Sequence, residues 1–458
     1  MGRKSFPSFW SCVWFSLEDG FLKSGDSVAR SIAIIGAGLA GCECALVLAK
    51  AGFHVMLFEQ KPEKRSPAHV MDSFAELVCS NSLRSNELTS GVGLLKQEMR
   101  DLGSFFMDAA DANSVPADKA LAVDRTAFSR DISQKIHAHP NISCFSHSVA
   151  SLDDPLLWQN GCENVIVAAG PLASDELVAS LKKVIGETDC YFYDAIAPIV
   201  WTSSLQKDIV FRASRYDCEK EDYVPGQETG DYLNCPMTKD EYLVFYEALR
   251  TADTVPSRDF ETVKHFEGCM PIEALAARGE RTLAFGPMKP IGLRDPRTGK
   301  RPYAVLQLRF ENRAGTTCNL VGCQTRMRIP EQERVFRLVP GLEKAEFARF
   351  GSMHRNTYVN APIVLEADQS LRARPSLFLA GQITGVEGYV ESAAQGLWLS
   401  YSLIAKEKGI VLPHPPRETA LGALLGHLAT PSKHFQPSNI HFGLMPPCEE
   451  KLRKANRK

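Results

Sequence analysis

Two kinds of residue in this 458-residue chain could do chemistry: its thiols and one glycine-rich loop. Thirteen cysteines stand at 12, 42, 44, 79, 144, 162, 190, 218, 235, 269, 318, 323 and 448. No two have C-x-x-C spacing, so zinc-ribbon chemistry is not signalled and no metal site is expected. Cys79 is followed by Ser-Asn-Ser-Leu-Arg and the next cysteine is Cys144, which argues against a dithiol redox pair. The loop reads Gly36-Ala37-Gly38-Leu39-Ala40-Gly41. In a G-x-G-x-x-G turn the first glycine permits the tight bend and the second lets backbone approach a pyrophosphate. The third lets helix and strand pack closely. Glu59 stands where a carboxylate would accept from ribose hydroxyls, which favours FAD or NAD over NADP.

The elements that must position these residues follow from periodicity. Ser31–Ile35 reads as a buried strand, Cys42–Ala51 as a helix and His54–Glu59 as a second buried strand, which together make a βαβ unit. A helix is predicted over Val92–Met107, another opening at Ala122–Arg125, and a small-residue helix over Glu391–Leu403. Val165–Pro171 and Phe378–Gly388 resemble the two later strand-turns that close the FAD site in flavoproteins of the glutathione-reductase type. Many of those carry A-G-D where this chain has Ala380-Gly381-Gln382. The predicted cofactor set is therefore Gly36 to Gly41, Glu59, Gly381, Gln382 and Gly388, and the predicted cofactor is FAD. The βαβ rhythm is lost between about 190 and 340, where aromatics, prolines and charges increase. The expected fold is α/β: a glutathione-reductase-type Rossmann domain with an inserted α+β domain. Its parts are an N-terminal extension (1–29), a first cofactor-domain segment (30–189), the insert (190–340), a second segment (341–445) and a basic tail (446–458).

Composition bounds the rest. Lys and Arg total 52 against 54 Asp and Glu, a net charge of -2, so no global positive field attracts nucleic acid. Residues 278–328 are locally basic, with eleven Lys and Arg against Glu280, Asp295 and Glu311. Cys42 and Cys44, two residues apart on a helix, read as packing, and Cys269, Cys318 and Cys323 as core. Scattered cysteines in a long chain fit a reducing cytoplasm. No apolar run reaches the ~18 residues of a membrane span. Arg3 and Lys4 before Phe9–Leu17 faintly mimic a signal peptide, but no small-residue cleavage site follows, and residues 1–29 are expected to be a disordered extension.

Several segments together resemble the folate- and FAD-dependent tRNA (uracil-5-)-methyltransferases over roughly residues 31–445. They include Ala75-Glu76-Leu77-Val78-Cys79-Ser80-Asn81-Ser82-Leu83-Arg84, Ala120-Leu121-Ala122-Val123-Asp124-Arg125, Tyr232-Leu233-Asn234-Cys235-Pro236-Met237 and Phe285-Gly286-Pro287-Met288-Lys289-Pro290. Tyr191-Phe192-Tyr193-Asp194-Ala195, Phe266-Glu267-Gly268-Cys269-Met270-Pro271, Met353-His354-Arg355-Asn356-Thr357 and Gly381-Gln382 to Gly396 complete the set. The resemblance implies 5-methyluridine formation at position 54 of the tRNA T loop. Carbon would come from 5,10-methylenetetrahydrofolate and electrons from NAD(P)H through FAD, with tRNA held partly by the insert. It implies no obligate protein partner.

Uracil C5 is a poor nucleophile until a thiolate adds at C6, so the chemistry calls for an activated cysteine. Cys235, before the rigid Pro236 and inside the insert, is expected to be that nucleophile, and Cys79 a second catalytic thiol or base, with the two roles open to exchange. Arg84 is a candidate phosphate contact or thiol modulator. His354 is a candidate folate-stacking residue. Lys289, Arg294, Lys300 and Arg301 are the first candidates for RNA contact. Two other readings compete: an FAD enzyme acting on wobble uridine or ribosomal RNA, and a noncatalytic tRNA-binding flavoprotein. The motifs do not separate tRNA from ribosomal RNA.

Overall fold

The computed structural model describes residues 30–66, 68–186, 190–215, 230–255, 270–432 and 435–447. Strand β1 (Ser31–Ile35) runs into the glycine loop, the helix Leu39–Lys50 follows, and β2 (His54–Glu59) returns parallel to β1. These strands are near-continuous apolar runs because helices and loops cover both faces of the sheet. A small antiparallel sheet joins β3 (Ser82–Ser85), β4 (Ser114–Val115) and β5 (Ala120–Val123). β6 (Ile142–Ser146) pairs with β2 and β7 (Asn164–Val167) with β1.

The chain then leaves this body. β8 (Cys190–Ala195) pairs antiparallel with β15 (Met353–Tyr358), a two-stranded ribbon at the entry and exit of the insert. Between them lie β9 (Ile199–Trp201), β10 (Phe211–Arg212), β11 (Tyr232–Met237), β12 (Ala304–Phe310), β13 (Thr317–Leu320) and β14 (Phe347–Arg349). They form one antiparallel sheet in the order β10-β11-β12-β13-β9-β14, with its own apolar core under the helices Lys239–Thr251 and Ile329–Phe336. Finally β16 (Ser370–Leu371) and β17 (Arg374–Leu379) rejoin the first sheet, giving the order β16-β17-β7-β1-β2-β6. One sheet, parallel except for β16, is thus assembled from chain on both sides of the insert, because β17 docks on β7 in parallel register.

Three boundaries differ from expectation. The helix predicted over Val92–Met107 is two, Gly91–Asp101 and Phe105–Ala112, broken at Gly103 (φ +69°) and restarted by Ser104, whose hydroxyl accepts from the Met107 N–H. Ala122 and Val123 end a strand, and Asp124 caps the helix Arg125–Ala138 that follows. The insert reaches past residue 340, because β14 pairs with β9. The long helix Tyr389–Glu407 packs on Leu39–Lys50 at close range. A Cβ at Gly396 would lie 2.8 Å from the Ala40 carbonyl oxygen, and the Cys44 thiol donates to the Gly396 carbonyl at 3.3 Å.

Candidate active site

The glycine loop forms one wall of a cleft with about 1010 Å³ of empty space, its open mouth included, at the top of the ~300–1,000 Å³ usual for small-molecule sites. Gly36 adopts φ +101°, and its N–H donates to the Phe58 carbonyl at 2.8 Å. A Cβ there would sit 2.6 Å from the Ala168 carbonyl oxygen, and one at Gly41 would sit 1.9 Å from that of Gly36. At Gly38 a Cβ would meet nothing within 4 Å. Gly36 and Gly41 are therefore demanded by protein packing, whereas Gly38 keeps open space at the head of a helix N-terminus, where a phosphate is stabilised. Glu59 borders the cleft, its two oxygens accepting from the N–H groups of Ala37 (2.9 Å) and Lys61 (3.0 Å). Leu39, Ala40, Gly381 and Gln382 also line the cleft, while Ala37 and Gly41 stand behind it. Gly381 has φ +78°, and a Cβ would lie 2.8 Å from that of Ala40, so this turn meets the glycine loop directly. Open backbone, a helix N-terminus and the Glu59 carboxylate at the cleft edge fit a dinucleotide such as FAD.

The cleft continues through Pro171, Leu172, Gln382 and Tyr389 into a second chamber lined by Cys79, Arg84 and Gly388. Cys79 also borders a smaller cavity with Arg309, Asn319, Gly322 and Gln324 of the insert. This thiol therefore stands where cofactor body and insert meet.

The loop carrying Cys79 is held from both sides. Arg125 donates to the Leu77 carbonyl at 2.8 Å and pairs with Glu311 at 2.6 Å. Arg349 donates to the carbonyls of Val78 and Ala68, each at 3.0 Å. Arg309 reaches the Asn81 side-chain oxygen and the Ser80 hydroxyl, both at 2.7 Å. The Tyr389 hydroxyl accepts from the Cys79 N–H at 2.6 Å and the Ser80 N–H at 3.3 Å. Burial pushes Tyr389 well above the usual phenol range, so it stays neutral. Burial pulls Arg309 and Arg349 below the usual guanidinium value, and both feel the Cys79 thiol. All three guanidiniums thus bind the loop that carries the thiol, Arg125 while paired with Glu311.

Arg84 lines the chamber in a left-handed conformation (φ +61°), its guanidinium on the buried carboxylate of Glu391. Its carbonyl accepts from buried Lys96 at 3.2 Å, and that of Ser85 at 2.7 Å. Burial lowers Lys96 to about 7.

The other expected residues are not all here. Cys235 is 0% exposed and lies in the apolar core of the insert. Side chains alternate along β11: Asn234 turns to the Phe211 and Ala213 carbonyls, and Cys235 packs with Met237 under the helix Lys239–Thr251. Burial, then Cys318 and Glu343, push its thiol far above the usual range. Cys235, expected to attack uracil, is therefore not brought to Cys79: its thiol lines neither the cleft nor the chamber. Cys318 and Cys323 are buried in the same core, as Cys42 and Cys44 are in the other. Cys269 lies outside the described residues. His354 pairs with Asp194 in the ribbon, and its side chain lies outside the described residues. Gly388 borders the chamber with φ +108°. Arg294, Lys300 and Arg301 are exposed on the insert and Lys289 is half-buried, none of them lining cleft or chamber. Arg309, counted with them as surface charge, is instead buried on the Cys79 loop, and Arg326 faces Glu273.

Sequence reasoning did not single out Arg125, Arg309, Arg349 or Tyr389. Arg125 and Tyr389 sit within or beside segments already notable for their motifs. Only the fold brings Arg309 and Arg349 to the loop.

A family model described as Glucose inhibited division protein A matches residues 31–410. The curated methylenetetrahydrofolate--tRNA-(uracil-5-)-methyltransferase TrmFO of Nitratidesulfovibrio vulgaris is 63% identical over 426 residues, covering 93% of this chain and 88% of that protein. The chain belongs to the TrmFO family. The family member of Geobacter sulfurreducens is 53% identical over 431 residues, covering 93% of this chain and 95% of its own length. Among solved structures, GidA of Aquifex aeolicus in its form II crystal superposes with a TM-score of 0.64 at 15% identity, covering 89% of this chain and 68% of that one. That likeness concerns the fold alone. Among the described residues no helix is long and apolar enough to cross a membrane, and no group of three or more His, Cys, Asp or Glu is placed to hold a metal ion.

Proposed function

We propose that this protein transfers a one-carbon unit from 5,10-methylenetetrahydrofolate to C5 of the uridine at position 54 in the tRNA T loop. The observation that carries this reading is Cys79: in a chain of the TrmFO family, it is, among the described residues, the thiol standing where the dinucleotide cleft opens into a second chamber. FAD, when bound, carries two electrons from NAD(P)H to the transferred carbon. Gly38 would leave room for its pyrophosphate and Glu59 would accept from its ribose, with Gln382 and Tyr389 at the place where cleft and chamber join.

Cys79 adds through sulfur to C6 of the uracil, and the C5–C6 electron pair moves toward O4. The resulting enolate attacks the methylene carbon through C5 as one of its two carbon–nitrogen bonds to the folate opens. Loss of the C5 proton lets tetrahydrofolate leave with the second bond's electron pair. Addition of a hydride equivalent, originating in NAD(P)H, to the exocyclic carbon completes the methyl group as the thiolate leaves C6 and the ring is restored. Arg125, Arg309 and Arg349 hold the loop and supply positive charge, and Tyr389 fixes the Cys79 backbone from the cofactor side. Exposed Arg294, Lys300 and Arg301, with Lys289, form the phosphate-binding face of the insert. A protein acting on tRNA in this way works in the cytoplasm.

The test is 5-methyluridine formation in unmodified tRNA supplied with 5,10-methylenetetrahydrofolate and NADH or NADPH. Absence of product from FAD-loaded protein would refute the reading. RNA carrying 5-fluorouridine at the target traps the thiol covalently, because fluorine cannot leave C5 as a proton does. Cys79→Ala should form no adduct. An adduct in Cys79→Ala that disappears in Cys269→Ala would move the nucleophile to Cys269.

A further inference from the structure

Phe285 is 75% exposed, at the end of the short helix Thr282–Phe285. A single exposed apolar side chain is ordinary on a protein surface, so its setting has to decide. Three features of that setting agree.

The first is charge. Between Arg278 and Arg301 the chain carries seven cations against Glu280 and Asp295. Asp295 is buried and clasped by Arg297 at 3.1 and 2.8 Å, so of the two acids in this stretch only Glu280 is exposed. The second is rigidity. The turn after Phe285 is held by Arg215, which donates to the Pro287 carbonyl at 2.9 Å. The Met288 N–H bonds to the Leu283 carbonyl and the Val305 N–H to that of Met288, each at 2.9 Å. The ring is thus presented on a fixed turn. The third is position. Pro287 packs on Gly322, where an added Cβ would lie 2.6 Å from the proline Cβ, and Gly322 lines the cavity that holds Cys79. Phe285 is thus two residues from Pro287, which backs onto the wall residue Gly322.

RNA loops are read through unstacked bases, which pack on aromatic rings between phosphate-binding cations. A uridine drawn out of its stack toward a thiol leaves its neighbour with one bare face. We propose that Phe285 is the platform on which that neighbouring base stacks, so that it positions the RNA loop at the mouth of the Cys79 cavity. This rests on the reading of the protein as an RNA uridine methyltransferase. Phe285 is a positioning residue: it acts on the RNA and not on the reacting atoms.

The experiment uses the FAD-loaded full chain and a T-arm hairpin RNA with 2-aminopurine beside the target uridine. Binding to wild type should change the 2-aminopurine fluorescence. Phe285→Ala and Phe285→Leu should each weaken binding roughly 10-fold or more and lose that fluorescence change, while Phe285→Trp keeps both. KM for RNA should rise in the Ala and Leu variants, with kcat at saturating RNA nearly unchanged. Flavin absorbance and far-ultraviolet circular dichroism report that the variants are folded. Wild-type binding and fluorescence in both Phe285→Ala and Phe285→Leu would overturn the proposal while leaving the methyltransferase reading intact. If the wild type itself bound no hairpin RNA, the methyltransferase reading would fall first.

Discussion

Gly38 and Gly41 are three residues apart, and substitution should separate their roles. An alanine Cβ at position 41 would lie 1.9 Å from a carbonyl oxygen, whereas at position 38 it would meet only open cleft. Gly38→Ala should fold with a nearly wild-type melting temperature yet purify with less FAD, read as the flavin-to-protein absorbance ratio. Gly41→Ala should lose several kcal/mol of stability, as overpacking against backbone does, and show it in denaturant titration. Equal melting temperatures for the two variants would contradict the division of labour. The thiols offer a similar contrast. Cys79→Ala should abolish 5-methyluridine formation and leave flavin absorbance unchanged. Cys235→Ala removes a buried sulfur from an apolar core, so it should cost about 1–2 kcal/mol in stability and keep most of the activity measured below its melting temperature. Loss of activity in a well-folded Cys235→Ala would restore the role the sequence suggested.

At the scale of elements, two buried glutamates cap helices that pack on the cofactor body. Glu98 accepts from the Ala420 and Leu421 N–H groups, both at 2.8 Å, at the start of the helix Ala420–Ala429. Glu43 accepts from the Phe106 N–H at 2.7 Å, at the start of Phe105–Ala112. Burial raises each carboxyl to about 7 despite the helix N-terminus. Because the folded value lies above the unfolded one, the folded state binds the proton more tightly. Their contribution is complete below about pH 4.5 and is lost as pH rises through about 7. Between pH 5 and 8 the melting temperature of Glu98→Gln should therefore fall less than that of wild type, by a few degrees. Parallel curves for the two proteins would mean that Glu98 keeps an ordinary carboxyl.

For the whole molecule, the insert matters to the thiol through Arg309 and Arg349. They cross from β12 and β14 to the Cys79 loop. Their removal should disturb the position of Cys79 more than the binding of FAD. Arg309→Ala and Arg349→Ala are expected to lower kcat about 10–100-fold at unchanged flavin content. Arg309→Lys, which cannot span two acceptors with a planar fork, should recover little of it. Wild-type kcat in both alanine variants would show that the loop holds its shape without the insert.

The parallel sheet, the glycine loop and Glu59 could be read along the chain because their signals are local. A buried strand is an apolar run, a tight turn needs glycine, and the ribose carboxylate follows at a fixed distance from the loop. The family motifs likewise marked Cys79. What local pattern cannot show is which way a side chain points once strands pair. Cys235 looked reactive beside Pro236, but the two-residue period of β11 turns it into the insert core. Arg309 looked like one more surface cation, but β12 aims it at Ser80 and Asn81, 229 and 228 residues away in the chain. The residue types and the identity of the cofactor loop were determined by sequence alone. The separate places of the two thiols, Cys79 at the cleft and Cys235 in the insert core, and the arginines on the Cys79 loop were decided only by tertiary structure, because the surroundings of a sulfur come from segments far apart in the chain.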